Sequence, residues 1–280
     1  MNHLIVPTDF SNNAWNAAQM AAQIAAGAGA TLHLLHITFD LQNPLILNEE
    51  TRETYNDGRF EALGETLTER KDQLQKAFPE LTIRHKLLTG NTEDTILKYA
   101  QNQEADMIVM GTQGDTGVKK VIVGSVTVSM IMQSTIPVLC VPGGYKQTGE
   151  YNIILADSRL SRSPEFFAPT LALARALKSK VTVFHINEGG KPLDKNQKKD
   201  YEKYLTEQQL EIENSLIETG EQPLEEAIQN TCDLEGYGIL ALVNIKQGFF
   251  GRLFRPGLVR EMAFQSEIPL LVQPHRETGE

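Results

Sequence analysis

Three segments of the first half of the chain recur, in the same order, in its second half. Such an ordered internal repeat indicates two copies of one folding module. The 280 residues are enough for two modules that each bury a core of their own. The matching pairs are residues 4–9 with 153–157, 32–37 with 182–186, and 134–142 with 266–274.

Each copy alternates short apolar runs with longer amphipathic stretches, which predicts an α/β fold. The runs are apolar throughout, so we expect an open five-stranded parallel sheet covered by helices on both faces. Ser11 is the predicted N-cap of the first helix and Gly27 its predicted end. In copy one, strands are predicted over 4–6, 31–37, 81–88, 106–110 and 137–141, and helices over 12–27, 50–77, 92–101 and 125–133.

The repeat also predicts where the two modules begin and end. The first is expected over residues 1–142 and the second over 151–275, joined by the polar, glycine-bearing linker 143–150. Copy two is shorter between its second strand and its last helix. Its third strand is predicted near residues 212–217.

Charge and composition limit the classes of partner. The formal net charge of −10 argues against nucleic-acid binding, which needs a basic face. No apolar run reaches the ~20 residues of a membrane helix, and the first six residues read as a strand and not as a signal peptide. Cys140 and Cys232 lie far apart, which favours two reduced thiols in a cytoplasmic protein. The six histidines show no zinc-site spacing.

A glycine-rich loop follows the fourth strand of copy one. Gly111 and Gly114 allow tight backbone turns, and nine residues later Gly124 and Ser125 open a short helix. The free N–H groups and positive dipole end of a helix favour an anion. Ser125 and Thr127 add hydroxyl donors at the same end. The loop therefore predicts a phosphate-binding site. Lys119 and Lys120 either screen phosphate charge or are simply solvated.

Two further positions are expected beside this loop, because ligands of open α/β sheets bind at the carboxyl ends of the strands. Asp9 follows strand one, where its carboxylate either accepts both hydroxyls of a ribose or caps the next helix. Ile37 lies just past strand two, where its backbone either contacts a base or the residue belongs to the core.

The pattern Gly111-x2-Gly114-x9-Gly124-Ser125 resembles the ATP-binding signature of universal stress proteins. The order of Pro7-Thr8-Asp9, His36-Ile37 and Met110-Gly111 resembles the same family. The resemblance implies an adenine nucleotide alpha hydrolase-like, Rossmann-like module, with tandem copies paired through their fifth strands. It also implies a site for ATP, ADP or AMP, with or without Mg²⁺. The implied site residues are Pro7, Thr8, Asp9, Ile37, Met110, Gly111, Gln113, Gly114, Gly124, Ser125, Val126 and Thr127.

Copy two departs from this signature. Gly248 and Gly251 resemble the first glycine pair, but the Gly-Ser step falls on Pro256-Gly257, and proline removes one N–H from the anion site. The second module is therefore expected to have a degenerate nucleotide site. Its loop aromatics are interpreted as packing against copy one, and the alternative is that Arg252 and Arg255 hold another anion. These aromatics are Phe249, Phe250 and Phe254.

The sequence leaves open whether the chain is an enzyme. It has no G-x4-G-K-[ST] loop, no G-x-S-x-G elbow and no Ser-Gly-Gly-x-Asp-Ser motif after strand one. The favoured hypothesis is a nucleotide-binding stress-response module with little or no catalysis. A slow ATPase or nucleotidyl-transfer enzyme, with Asp9 or Asp115 on Mg²⁺, is the second hypothesis, and an assembly scaffold is the third. Assembly of chains into a homodimer also stays open.

Overall fold

The computed structural model describes residues 1–39, 49–112, 124–145, 152–157, 167–185, 195–196, 199, 203, 217–218, 238–244 and 268–274. These residues form ten strands and five helices. The strands are β1 His3–Pro7, β2 Thr31–Thr38, β3 Ile83–Thr89, β4 Met107–Gly111, β5 Val138–Val141, β6 Asn152–Asp157, β7 Lys180–His185, β8 Ile217–Glu218, β9 Ile239–Asn244 and β10 Leu270–Pro274. The helices are α1 Asn12–Ala28, α2 Glu49–Ala77, α3 Thr92–Asn102, α4 Ser125–Gln133 and α5 Ala168–Leu177.

All ten strands form one sheet, in the order β3-β2-β1-β4-β5-β10-β9-β6-β7-β8. Every neighbouring pair is parallel except β5 and β10, which run antiparallel in the middle of the sheet. The order on one side of this pair is the mirror of the order on the other side. The α/β fold class with parallel strands is therefore confirmed, and two five-stranded halves share one continuous sheet.

The register of the strands shows which residues of the two halves are equivalent. His3 pairs with Thr31 in the first half, and Asn152 pairs with Lys180 in the second. Counting along these strands makes Asp157 equivalent to Thr8, one position earlier than the match with Asp9 that the sequence suggests.

Helix α1 begins as predicted, but it ends later. The Ser11 side chain accepts a hydrogen bond from the Ala14 N–H at 3.1 Å and caps the helix. At the other end the C-cap is Gly29, with φ +66°, so the predicted stop at Gly27 is wrong. Gly27 lies inside the helix, where a Cβ atom would overlap the carbonyl oxygen of Ala176 on α5. Its role is to let α1 and α5 touch backbone to backbone.

The other predicted boundaries of the first half agree with the structure to within two residues. Helix α4 covers the predicted residues, and Asn91 caps α3 by accepting from the Asp94 N–H. Strand β2 extends to Thr38. The third strand of the second half is a short one, β8, and residues 212–216 of its predicted range lie outside the described residues.

The core lies on both faces of the sheet, as predicted from the apolar strands. On one face, side chains of α1, α2 and α5 pack together in a single cluster. On the other face, α3 and α4 cover a second cluster that continues across β5 and β10. Cys140 of β5 is a free, fully buried thiol, and its burial raises its pKa to about 12. Cys232 lies outside the described residues.

Candidate functional site

The carboxyl ends of β1, β2 and β4 lie side by side at one edge of the sheet, because the three strands are parallel and β1 is the middle one. This topology brings most of the predicted site residues to one place. Pro7 ends β1 and is followed by Thr8 and Asp9, while Ile37 lies near the end of β2 and Gly111 ends β4. Such an edge is where open α/β sheets bind ligands.

The turn from β1 into α1 is fixed by two side-chain hydrogen bonds. The Thr8 hydroxyl accepts from the Phe10 N–H at 3.0 Å, and an Asp9 carboxylate oxygen accepts from the Ser11 N–H at 3.0 Å. Phe10 between them has φ +67°, which is strained for a bulky residue. The backbone is therefore held in an unfavourable conformation at the edge where a ligand is expected.

Asp9 does not cap α1, since Ser11 occupies that position. The Asp9 side chain is exposed, and only one of its oxygens is hydrogen-bonded within the described residues. The remaining oxygen can accept from a ligand hydroxyl. The arrangement thus removes the capping alternative and leaves the carboxylate open to a ligand.

His36 also lies at this edge of the sheet, although it is not among the site residues that the sequence predicts. Its ring stacks on Phe10 with centroids 4.4 Å apart, and its Nδ1 lies 2.7 Å from the Thr8 carbonyl oxygen. A carbonyl can only accept, so Nδ1 carries the proton and Nε2 is an acceptor. Burial lowers the pKa of His36, although the Thr8 carbonyl and Asp9 oppose this effect. The recurrence of histidine at the equivalent His185 was the signal in the sequence.

Ile37 and Met110 offer their backbone to this edge, because their side chains pack into the core. Ile37 lies within β2, not past it, and pairs with Leu88 while its half-buried side chain packs against the second core cluster. The last pair between β1 and β2 is Pro7 with Leu35, so Ile37 extends beyond β1. Met110 is buried in the same cluster. For both residues, only the main chain is placed to meet a ligand.

Gly111 is required by packing against α1. A Cβ atom at this position would lie 2.9 Å from backbone atoms of Asn13 and 3.2 Å from the Ala14 nitrogen. The missing side chain lets the first turn of α1 lie directly against the end of β4. The predicted reason, a tight turn toward a ligand, is therefore not the whole explanation for this glycine.

The two ends of the glycine-rich loop are tied together. The Gly124 N–H donates to the Thr112 carbonyl at 2.7 Å, and the Thr127 hydroxyl donates to the Gly111 carbonyl at 2.9 Å. Thr127 is 3% exposed. Its hydroxyl proton is already used, so its predicted role as a hydroxyl donor to phosphate is wrong. Thr127 instead holds the start of α4 against the end of β4.

The start of α4 has the features of an anion site. Its N-cap is Gly124, which provides no side-chain cap, so the first-turn N–H groups lack that partner. Ser125 is exposed at the first position of the helix, and Val126 packs against the second core cluster. The Ser125 hydroxyl and the first-turn N–H groups are thus the donors that this helix offers.

The remaining predicted residues of the loop, Gln113 and Gly114, lie outside the described residues, as do Lys119, Lys120 and Asp115. Within the described part of the chain, no group of three or more His, Cys, Asp or Glu side chains is arranged to hold a metal ion. No helix in that part is long and apolar enough to cross a membrane.

Residues 1–142 match the family model described as the universal stress protein family. The chain belongs to the universal stress protein family. A family member from Methanocaldococcus jannaschii is 29% identical over 144 residues, which are 49% of this chain and 80% of that protein. A second one from the same organism is 27% identical over 151 residues, covering 49% of this chain and 93% of the relative.

A solved structure of a universal stress protein from Archaeoglobus fulgidus aligns with 99% of this chain and 98% of its own, with a TM-score of 0.70 at 16% identity. This likeness shows a shared fold.

The second half lacks the glycine that ends β4 in the first half. The register of the strands makes Val243 of β9 equivalent to Gly111. The second glycine-rich loop, residues 245–267, lies outside the described residues.

Proposed function

We propose that this universal stress protein binds one adenine nucleotide per chain, at the carboxyl edge of β1, β2 and β4. The resident ligand is ATP or one of its products ADP and AMP, with Mg²⁺ on the phosphates. The nucleotide site belongs to a module of residues 1–142, and a second module of residues 151–275 has a degenerate site. The two modules pair through β5 and β10.

The closure of the glycine-rich loop is the observation that carries this proposal. The bonds from Gly124 to Thr112 and from Thr127 to Gly111 bring the two glycine ends of the ATP-binding signature into contact. They also place the uncapped start of α4 beside the end of β4. A phosphate group would then meet first-turn N–H groups together with the Ser125 hydroxyl.

The other parts of a nucleotide fit the neighbouring strand ends. The exposed Asp9 carboxylate is suited to ribose hydroxyls, since a carboxylate accepts two hydrogen bonds from vicinal donors. The Ile37 backbone, which extends beyond β1, is suited to the polar edge of a base. Pro7, Thr8, Met110 and Val126, with Gln113 and Gly114 from the loop, complete the site that the sequence predicts.

Binding with little or no turnover is the proposed activity. The described part of the site provides donors for phosphate at the start of α4 and an acceptor for ribose in Asp9, which lies in the strained Phe10 turn. Such a module responds to nucleotide by a change in its own stability or in its contacts. The same chain is proposed to work in the cytoplasm as a stress-response protein, as a monomer or a homodimer of paired modules.

The first test identifies the ligand. Purified protein is denatured and the released small molecules are analysed by mass spectrometry, which we expect to show an adenine nucleotide. Ser125→Ala should weaken ATP binding by roughly tenfold because it removes one hydrogen bond to a charged group. Ser129→Ala, one turn later on α4, is the matched control and should bind like the parent.

Two results would contradict the proposal. One is the absence of nucleotide from the purified protein together with no ATP binding in calorimetry. The other is equal ATP affinity of parent and Gly124→Asp, which places a carboxylate where the phosphate is proposed to lie. A turnover assay on the same variants tests the proposed lack of catalysis, since hydrolysis lost in Gly124→Asp would make the chain an ATPase.

A further inference from the structure

Strand β3 lies at one end of the sheet. It pairs with β2 on one side, and no described strand lies on its other side. The Thr82 carbonyl and the Gly90 N–H both bond to β2, and the direction of the backbone groups alternates along a strand. The odd-numbered residues between them therefore direct their N–H and C=O groups away from β2. These residues are Ile83, His85, Leu87 and Thr89.

Two exposed cations stand on one face of this edge. Arg84 and Lys86 are two positions apart, so their side chains leave the same face of the sheet, the one that α3 covers. The Lys86 Nζ lies 6.0 Å from the centre of the Tyr99 ring on α3. Neither cation forms an ion pair with a described carboxylate, although the whole chain carries a net charge of −10. This face of the edge is thus a positive strip on an acidic protein.

The opposite face of the edge is largely apolar. Ile83 and Leu87 are half-buried and pack against the core cluster that α2 covers. Between them, the His85 Nε2 lies 3.3 Å from the hydroxyl oxygen of Thr68 on α2. A strand added to β3 would therefore meet cations on one face of the sheet and mainly apolar side chains on the other.

The charges of this edge oppose pairing with a second copy of itself. Two β3 strands paired antiparallel about His85 would set each Arg84 opposite the other copy's Lys86, and like charges in such cross-strand pairs are destabilising. Lysine on an edge strand commonly prevents self-association in this way. The fold itself does not require the cation, since register makes Ile217 of β8, at the other end of the sheet, equivalent to Lys86. The edge is thus complementary to an acidic strand and not to its own copy.

We propose that the β3 edge is a docking site for an extended acidic segment of a partner protein, which adds one more strand to the sheet. Such strand addition takes its affinity from main-chain hydrogen bonds and its specificity from alternate side chains. The expected segment has carboxylates beside Arg84 and Lys86, alternating with apolar residues beside Ile83 and Leu87. The docking site shares no residue with the proposed nucleotide site.

The probe is a peptide with the sequence Thr-Val-Glu-Val-Glu-Val-Thr, blocked at both ends and carrying a fluorescent label. Its binding to the full chain is measured by fluorescence anisotropy. We expect saturable binding, about tenfold weaker when both glutamates are replaced by glutamine, because two cross-strand charge pairs are lost. Lys86→Gln should weaken binding about threefold, since it removes one pair. Lys178→Gln, an exposed lysine at the end of α5, is the matched control and should bind like the parent.

Amide hydrogen exchange, followed by NMR, gives a readout that charge attraction alone would not move. Bound peptide should slow the exchange of the outward N–H groups at least tenfold. The N–H groups of Arg84 and Lys86 already face β2 and should keep their rates. The outward N–H groups are those of Ile83, His85, Leu87 and Thr89.

A peptide that is N-methylated at two successive residues loses an N–H on whichever side faces β3, and it should not bind. Equal binding of this peptide and the parent peptide would show attraction by charge alone and would overturn the proposal. The absence of saturable binding up to about 1 mM peptide would also overturn it. Protection of the same N–H groups in a dimer of the chain, without peptide, would assign the edge to a second copy instead. Gly124→Asp should bind the peptide like the parent, so this test is separate from the test of the nucleotide site.

Discussion

The first half of the chain should lose stability on mild acidification because of one buried histidine. His33 of β2 is fully buried, with Nε2 3.1 Å from Nδ1 of His3 and Nδ1 3.0 Å from the Tyr99 hydroxyl. Burial, with contributions from His3 and Arg84, lowers the pKa of His33 from 6.5 to about 4. Lys86, over the Tyr99 ring, adds a further positive charge on this side.

The direction and size of the effect follow from this pKa. Between pH 6.5 and 4 the unfolded chain binds a proton at His33 that the folded chain does not, so acid favours unfolding. The full difference corresponds to about 3 kcal/mol, reached below both pKa values. Lowering the pH from ~7 to ~5 should remove about 2 kcal/mol from the free energy of unfolding.

The assay is urea unfolding followed by the fluorescence of Trp15, the single tryptophan of the chain, at several pH values. His33→Gln keeps an amide in place of the ring but cannot titrate, so its stability should depend on pH less steeply than that of the parent. His85→Gln, at an exposed position of β3, is the control and should keep the parent slope. Equal slopes for His33→Gln and the parent would refute the reasoning.

Two packing predictions use the same unfolding assay. Gly27→Ala should lower the free energy of unfolding by about 1–3 kcal/mol, because its Cβ would overlap α5 backbone. Gly58→Ala, in open space on α2, should instead raise it by about 0.5–1 kcal/mol. Thr127→Val should lower the free energy of unfolding by about 1–3 kcal/mol and weaken ATP binding, because it leaves the Gly111 carbonyl without its donor. Thr127→Ser keeps the hydroxyl and should retain the stability and the ATP affinity of the parent. The proposed role of Gly27 would be contradicted if Gly27→Ala were as stable as Gly58→Ala. The proposed role of Thr127 would be contradicted if Thr127→Val unfolded with the free energy of the parent.

Local sequence signals were sufficient for most of the first half. A glycine-serine step followed by an apolar stretch predicts α4, and Ser11 and Asn91 mark two helix starts because their side chains cap free N–H groups. The apolar strands predict a sheet covered on both faces, which the two core clusters confirm.

Residues whose role depends on distant contacts were harder to interpret. Gly27 and Gly29 both fit a helix end in the sequence, and they are distinguished by the positive φ of Gly29 and by the contact of Gly27 with Ala176 on α5. Thr127 has the same hydroxyl whether it faces a ligand or the Gly111 carbonyl. The sequence could not decide these cases because the partners lie 16 or more residues away along the chain.

His36 and Gln273 show how an internal repeat can be used further. Histidine recurs at the equivalent position His185, which indicates that His36 has a role besides forming β2. Glutamine does not recur, since Val141 stands at the equivalent position of Gln273. Both comparisons were available in the sequence, but their meaning depends on the stacking of His36 on Phe10 and on the Gln273 amide, which has no hydrogen-bond partner among the described residues.

The stoichiometry of ATP binding to the full chain tests the central proposal most directly. Calorimetric titration of nucleotide-free protein with ATP and Mg²⁺ should give one site per chain, and Gly124→Asp should abolish that site. Two equivalent sites would contradict the proposed degenerate second module. No binding to the folded parent protein would contradict the proposed nucleotide site itself.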